Sequence, residues 1–160
     1  MASSEKNLSD VKINQSLDIS KNKFGIVVAE WNEQVTESLY SGAYQTLINA
    51  GASRENIERM NVPGTFELSL GGQWMAERSD IDAVICLGCV IQGETRHFDF
   101  ICDAVANGIT NLNLKFNKPV IFGVLTTDNM KQALDRAGGK HGNKGDEASA
   151  TAIKMLEVKY

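Results

Sequence analysis

The stretch DAVICLGCVIQGETRHFDF, residues 82–100, decides how the chain is read. From Asp82 to Ile91 it is almost continuously apolar and rich in β-branched side chains, the pattern of a strand covered on both faces. The run then breaks at Gly93 into a short polar turn carrying Glu94, Thr95 and Arg96. His97, one of only two histidines in the chain, follows at once and opens a helical pattern. A buried strand that leads through a glycine-marked turn into a helix is the first half of a β-α-β unit.

The same alternation extends in both directions. Upstream, FGIVVAE (Phe24 to Glu30) reads as a buried strand, and Asn32 stands where a helix cap belongs. Val35, Leu39, Ala43, Leu47 and Ile48 then recur at helical spacing until Gly51. Ile57 to Val62 is a shorter strand stopped by Pro63 and Gly64. Phe66 to Arg78 reads as a helix in which Gly71 and Gly72, unfavourable there in themselves, let a neighbouring element pack closely. Downstream, a helix runs from His97 to about Asn113 and a strand from Pro119 to Thr127. Thr127 or Asp128 caps a helix through Ala137. The glycine-rich linker GGKHGNKG leads to a last helix, Asp146 to about Val158. The expected fold is one α/β domain over residues 23–160: a four-stranded parallel sheet with helices on both faces, three-layered and flavodoxin-like. Residues 1–22 are polar and read as a flexible tail.

Composition narrows the class. The chain has 160 residues, enough for one domain with a core, with 42% apolar and 22% charged residues. A net charge of −4 without a Lys/Arg tract speaks against nucleic acid as a partner. No apolar run approaches the ~20 residues of a membrane span. The first 22 residues lack the apolar core of a secretory signal, so the cytoplasm is the expected compartment. CLGC imitates a redox CxxC, but that motif opens a helix. In a strand, Cys86 and Cys89 point to opposite faces and share neither a disulfide nor a metal. With Cys102 they read as small, partly buried thiols, and no metal site is expected.

Ligands of open parallel sheets bind beyond the carboxyl ends of the strands. Four loops lie there: EWNE, VPGTFE, IQGETRH and TTDN. His97 can transfer protons near neutral pH, or simply solvate a helix end. Peptide N–H groups from Gly93 to Thr95 can hold an anion at the helix start. Trp31 can stack on a flat heterocycle or serve as packing. Asn32 and Glu67 can bond a polyol or a ring edge, or be ordinary surface groups. Arg136 and Lys144 flank the linker, where they can grip a phosphate or complement helix dipoles. The linker is not a phosphate loop of the Walker type, because it follows a helix and its lysine precedes glycine. By themselves these residues describe an α/β protein that binds something flat and something phosphorylated, with a histidine available for proton transfer.

Taken in order and spacing, VPGTFEL, LGCVIQGETRHFDF, PVIFGVLTTDN and RAGGKHGNKG resemble the segments of the lumazine synthase family, from Phe24 to the last helix. The resemblance implies a condensation without cofactor or metal. 5-Amino-6-(D-ribitylamino)uracil and 3,4-dihydroxy-2-butanone 4-phosphate form a Schiff base, lose phosphate and close to 6,7-dimethyl-8-ribityllumazine, a step of riboflavin biosynthesis. It further implies that His97 transfers protons, Trp31 stacks on the pyrimidine, and Thr65, Phe66 and Glu67 hold the ribityl chain. Cys89, Val90 and Ile91 present main-chain groups to the uracil, and Glu94 and Thr95 offer backbone amides to the phosphate. Phe122, Arg136 and Lys144 come from an adjacent subunit of a homopentamer, either free or built into a closed 60-subunit shell. Trp31 departs from a common phenylalanine, Gln92 from a common basic residue, and Arg96 adds a positive charge beside His97. A flavin-binding or shell-forming relative without catalysis, and a regulatory phosphometabolite-binding module, are the alternatives.

Overall fold

A computed structural model describes residues 7–10, 13 and 17–159. The main sheet has four parallel strands, β1 (Phe24–Ala29), β2 (Ile57–Val62), β3 (Ala83–Ile91) and β4 (Val120–Thr127), in the order β2-β1-β3-β4. The helices are α1 (Glu33–Asn49), α2 (Leu68–Glu77), α3 (His97–Phe116), a short α4 (Met130–Asp135) and α5 (Lys144–Lys159).

Strand alternation sorts the core into two layers. Phe24, Ile26 and Val28 of β1 and Ile85, Leu87 and Cys89 of β3 pack with Val35, Leu39, Ala43 and Leu47 of α1 and with Ala152, Ile153 and Leu156 of α5. On the opposite face, Val27, Val84 and Cys86 meet Leu68 and Met75 of α2 and Val105, Ile109 and Leu112 of α3. Cys86 and Cys89 thus lie on opposite faces of the sheet, as their spacing requires. The glycine pair in α2 has the packing reason expected of it. A Cβ at Gly71 would come within 2.8 Å of Val27 and Val62, and one at Gly72 within 3.1 Å of Cys86 and Leu112.

Three local readings need correction. Asn32 precedes α1 in a left-handed conformation (φ 63°) but makes no side-chain cap. The cap of α4 is Asn129, whose side chain accepts from Gln132 N, and not Thr127 or Asp128. GGKHGNKG is not a loose linker: it contains an antiparallel hairpin, β5 (Ala137–Gly139) and β6 (Gly142–Asn143), and α5 starts directly after it. Smaller shifts at α2, which starts at Leu68, and α3, which continues to Phe116, are differences of a turn.

Within the segment expected as a tail, the described parts are seated on the domain. Ile19 and Leu8 are buried, and Ile13 and Leu17 pack against the α1–α5 layer. Asp82 ties this stretch to the start of β3 by accepting from Lys23 N at 2.8 Å and from Asn22 Nδ2 at 3.2 Å.

Candidate active site

The strand order creates the site. β1 passes through α1 to β2 on one side, and β3 passes through α3 to β4 on the other, so the chain leaves the sheet in opposite directions at the neighbouring ends of β1 and β3. A crevice must open at such a switch point. It does: a cavity of about 620 Å³ is lined by Trp31 and Asn32 after β1, Gly64 to Glu67 after β2, Cys89 to Ile91 at the end of β3, and His97 and Ile101 on α3.

Its rim is built from main chain. Val84 N donates to Pro119 O and Gln92 N to Thr127 O, so even-numbered residues of β3 turn their peptide groups toward β4. The odd-numbered ones face β1 by the alternation of a pleated strand. The β1–β3 register ends at Val28 opposite Leu87, whereas the β3–β4 register runs on to Ile91 opposite Thr127. The peptide groups at the end of β3 therefore extend past β1. The Cys89 carbonyl is taken up by Asn32 Nδ2 (2.9 Å) and Thr65 Oγ1 (3.3 Å). This is the work of Asn32 in place of a helix cap, and it pins the post-β1 and post-β2 loops to β3. The amide and carbonyl of Ile91 face the cavity with no strand opposite, a ready edge for a ligand that both donates and accepts.

Gly88 allows this convergence, since a Cβ there would meet Leu68 and Thr65 at 2.8 Å. Trp31 is 73% exposed and Phe66 54%, so two large aromatic surfaces stand open at the mouth. His97 is the first residue of α3 and exposed; its amide donates to Thr95 Oγ1 at 3.4 Å, and its ring has no hydrogen-bond partner among the described residues. Arg96 pairs with Asp99 (3.6 Å) across one helical turn. Burial pushes the Cys86 thiol up to about 12 and Cys89 to about 11, so neither is a thiolate nucleophile near neutral pH.

Nine of the residues singled out in the sequence come together in the cavity: Trp31, Asn32, Thr65, Phe66, Glu67, Cys89, Val90, Ile91 and His97. Glu94 and Thr95 lie in the exposed turn between Ile91 and His97. Phe122, Arg136 and Lys144 are elsewhere on the chain. Phe122 and Lys144 line a separate recess of about 350 Å³ with Glu147 and Thr151. Lys144 N donates to Arg136 O at 2.9 Å across the base of the β5–β6 hairpin, so two cations 8 residues apart start from one backbone junction. The Lys144 ammonium also pairs with Glu147 (3.1 Å). Ile101 reads in the sequence only as an apolar residue of the helix, although its place one turn after His97 puts both on one face of α3 and in the cavity wall.

Among known proteins, the sequence model of the 6,7-dimethyl-8-ribityllumazine synthase family matches residues 21–160. A protein of that name from Cytophaga hutchinsonii is 68% identical over 156 residues, covering 98% of each chain. Those of Parabacteroides distasonis and Flavobacterium johnsoniae are 54% and 51% identical, covering 98% and 99% of this chain and 98% and 84% of theirs.

Proposed function

Since the chain belongs to the 6,7-dimethyl-8-ribityllumazine synthase family, we propose that the cavity between β1 and β3 is its condensation site, completed by an adjacent subunit. The protein is a condensing transferase of riboflavin biosynthesis. It joins 5-amino-6-(D-ribitylamino)uracil to 3,4-dihydroxy-2-butanone 4-phosphate and releases phosphate and water. The observation that carries the site is the meeting, in one cavity, of an open aromatic face, an unpaired peptide edge and a partnerless imidazole.

Trp31 stacks on the pyrimidine, and the peptide groups of Ile91 read its polar edge. Thr65, Phe66 and Glu67, in the turn that starts α2, hold the ribityl chain. Cys89 and Val90 complete the wall beside the ring. The amine of the uracil attacks the ketone, and loss of water gives the Schiff base. Elimination of phosphate, and ring closure with loss of a second water, each move a proton that His97 transfers. The amides of Glu94 and Thr95 receive the phosphate at the positive end of α3.

A phosphate dianion needs a cation as well, and among the described residues the cavity walls carry no lysine or arginine. That supports the supply of Arg136, with Lys144 and Phe122, by an adjacent subunit. Homopentamers, free or closed into a shell, provide such a neighbour, and cytoplasmic location accords with both substrates being soluble metabolites.

The shared site is tested by mixing. His97→Ala and Arg136→Ala subunits are each weak alone. Co-assembled at equal ratio around a heterologous ring, they make about one site in four intact. Activity should recover to roughly that fraction of the parent value. Verified mixed rings that show only the average of the two variants would refute the sharing. A smaller effect concerns Trp31. Product or riboflavin should quench the fluorescence of Trp31 and leave the half-exposed Trp74, on α2, much less affected. Equal quenching in Trp31→Ala and the parent would remove the stacking role.

A further inference from the structure

The β5–β6 hairpin has two edges. One pairs internally, Ala137 opposite Asn143, and joins Arg136 to Lys144. The other is covered by residues 7–10 of the same chain. Leu8 N donates to His141 O (2.8 Å), and Asn143 N donates to Ser9 Oγ (3.0 Å). Leu8 is 6% exposed, so the contact has an apolar anchor beside its two hydrogen bonds. The segment is shaped for this seat: Asn7 accepts from Ser9 N with its side chain and from Asp10 N with its carbonyl. The hairpin is shaped for it too. Gly142 has φ 80°, and a Cβ there would come within 2.0 Å of Asn7 Oδ1 and 2.9 Å of Leu8 N.

The residue in the middle of this arrangement is Asn143. Its amide is held by Ser9. Its side chain donates to Ser38 O on α1 (2.9 Å) and accepts from Gly145 N at the start of α5 (2.8 Å). Lys144 lies between Asn143 and Gly145 and is bonded through its own amide to Arg136 O. We infer that residues 7–10 are a positioning strap for the Arg136–Lys144 pair: by holding Asn143 and His141 from outside, they fix the junction from which both cations extend. The inference rests on the reading that these cations hold the phosphate of the second substrate in the adjacent subunit's cavity. It adds that the amino-terminal segment of each subunit sets how well its neighbour binds that phosphate.

Ser9 touches neither cavity, so its replacement isolates the strap. In steady-state kinetics on the assembled full-length protein, Ser9→Ala should raise KM for the phosphorylated four-carbon substrate about threefold to tenfold, the range expected for one hydrogen bond. The KM for the ribitylamino-uracil and kcat should stay within about twofold of the parent, again on the scale of a single displaced contact. Ser9→Thr, which keeps the hydroxyl, should restore the parent value. Removal of residues 1–10 should match or exceed the effect of Ser9→Ala. Arg136→Ala is measured alongside. If it raises the phosphate-substrate KM while Ser9→Ala and the truncation do not, the strap is wrong and the site reading stands. If Arg136→Ala leaves that KM unchanged, the site reading falls and the strap with it. If Ser9→Ala lowers kcat and raises both KM values together, with a reduced Tm, the segment contributes only stability and the inference is overturned.

Discussion

His97→Ala should lower kcat by roughly 10²-fold or more while the ribitylamino-uracil still binds nearly as well as to the parent. The size follows from what the cavity contains. Of its described lining residues only His97 carries an imidazole, and burial pushes the Cys89 thiol up to about 11. The other histidine, His141, is on the β5–β6 hairpin, bonded through its main chain to Asp135 and Leu8. On the proposed reading, losing the imidazole would leave solvent as the proton carrier for phosphate elimination and ring closure. Binding should be spared because ring stacking and the Ile91 peptide edge would not depend on His97. Single-turnover measurements with both substrates, read beside equilibrium binding of the uracil alone, separate the two effects. An unchanged kcat would show that His97 does not carry the proton.

The second large effect falls on the fold. Gly145→Ala should destabilise the protein by about 3 kcal/mol or more, the range of overpacking against an unyielding neighbour. A Cβ on Gly145 would lie 1.9 Å from the Leu39 carbonyl oxygen and 3.0 Å from Ala43 N, both main-chain atoms of α1. Neither can rotate aside, so α5 must lift from α1, and Ala148, Ala152 and Ile153 lift with it. For a chain of this size that is a fall in Tm of roughly 10 °C. Gly93→Ala is the control: nothing lies within 4 Å of the Cβ it would add, and its Tm should match the parent. Thermal unfolding of both variants decides the matter, and a Gly145→Ala protein melting within about 2 °C of the parent would contradict the packing argument.

The main sheet was legible because β1 and β3 are unbroken apolar runs covered on both faces, as in AVICLGCVI, and the shorter, more polar β2 is stopped by Pro63 and Gly64. The β5–β6 hairpin was not, because strands of three and two residues have no periodicity to read and their glycines resemble a linker. Asn32 misled for a physical reason. It has the composition of a cap and the position of one, but its amide reaches the Cys89 carbonyl across the switch point, a contact visible only when β1 and β3 are neighbours. The cavity residues could be listed from the segments that follow β1, β2 and β3, since all three leave the sheet at the same edge. The resemblance had already set Phe122, Arg136 and Lys144 apart as an adjacent subunit's, and Phe122 and Lys144 do line a recess separate from the cavity.

The unpaired edge of β3 has a consequence for how this site can change over time. Side chains are rewritten one codon at a time, whereas a peptide group is the same whatever residue bears it. Recognition of the pyrimidine through the amide and carbonyl of Ile91, as proposed above, would thus be shielded from almost every single substitution at that position. Of the twenty residues, proline alone lacks the N–H and would erase the donor outright. On that proposal the information that selects the ring would be stored in the register of two strands, the early end of β1 beside the longer β3, and drift in the sequence would leave it untouched as long as that offset holds.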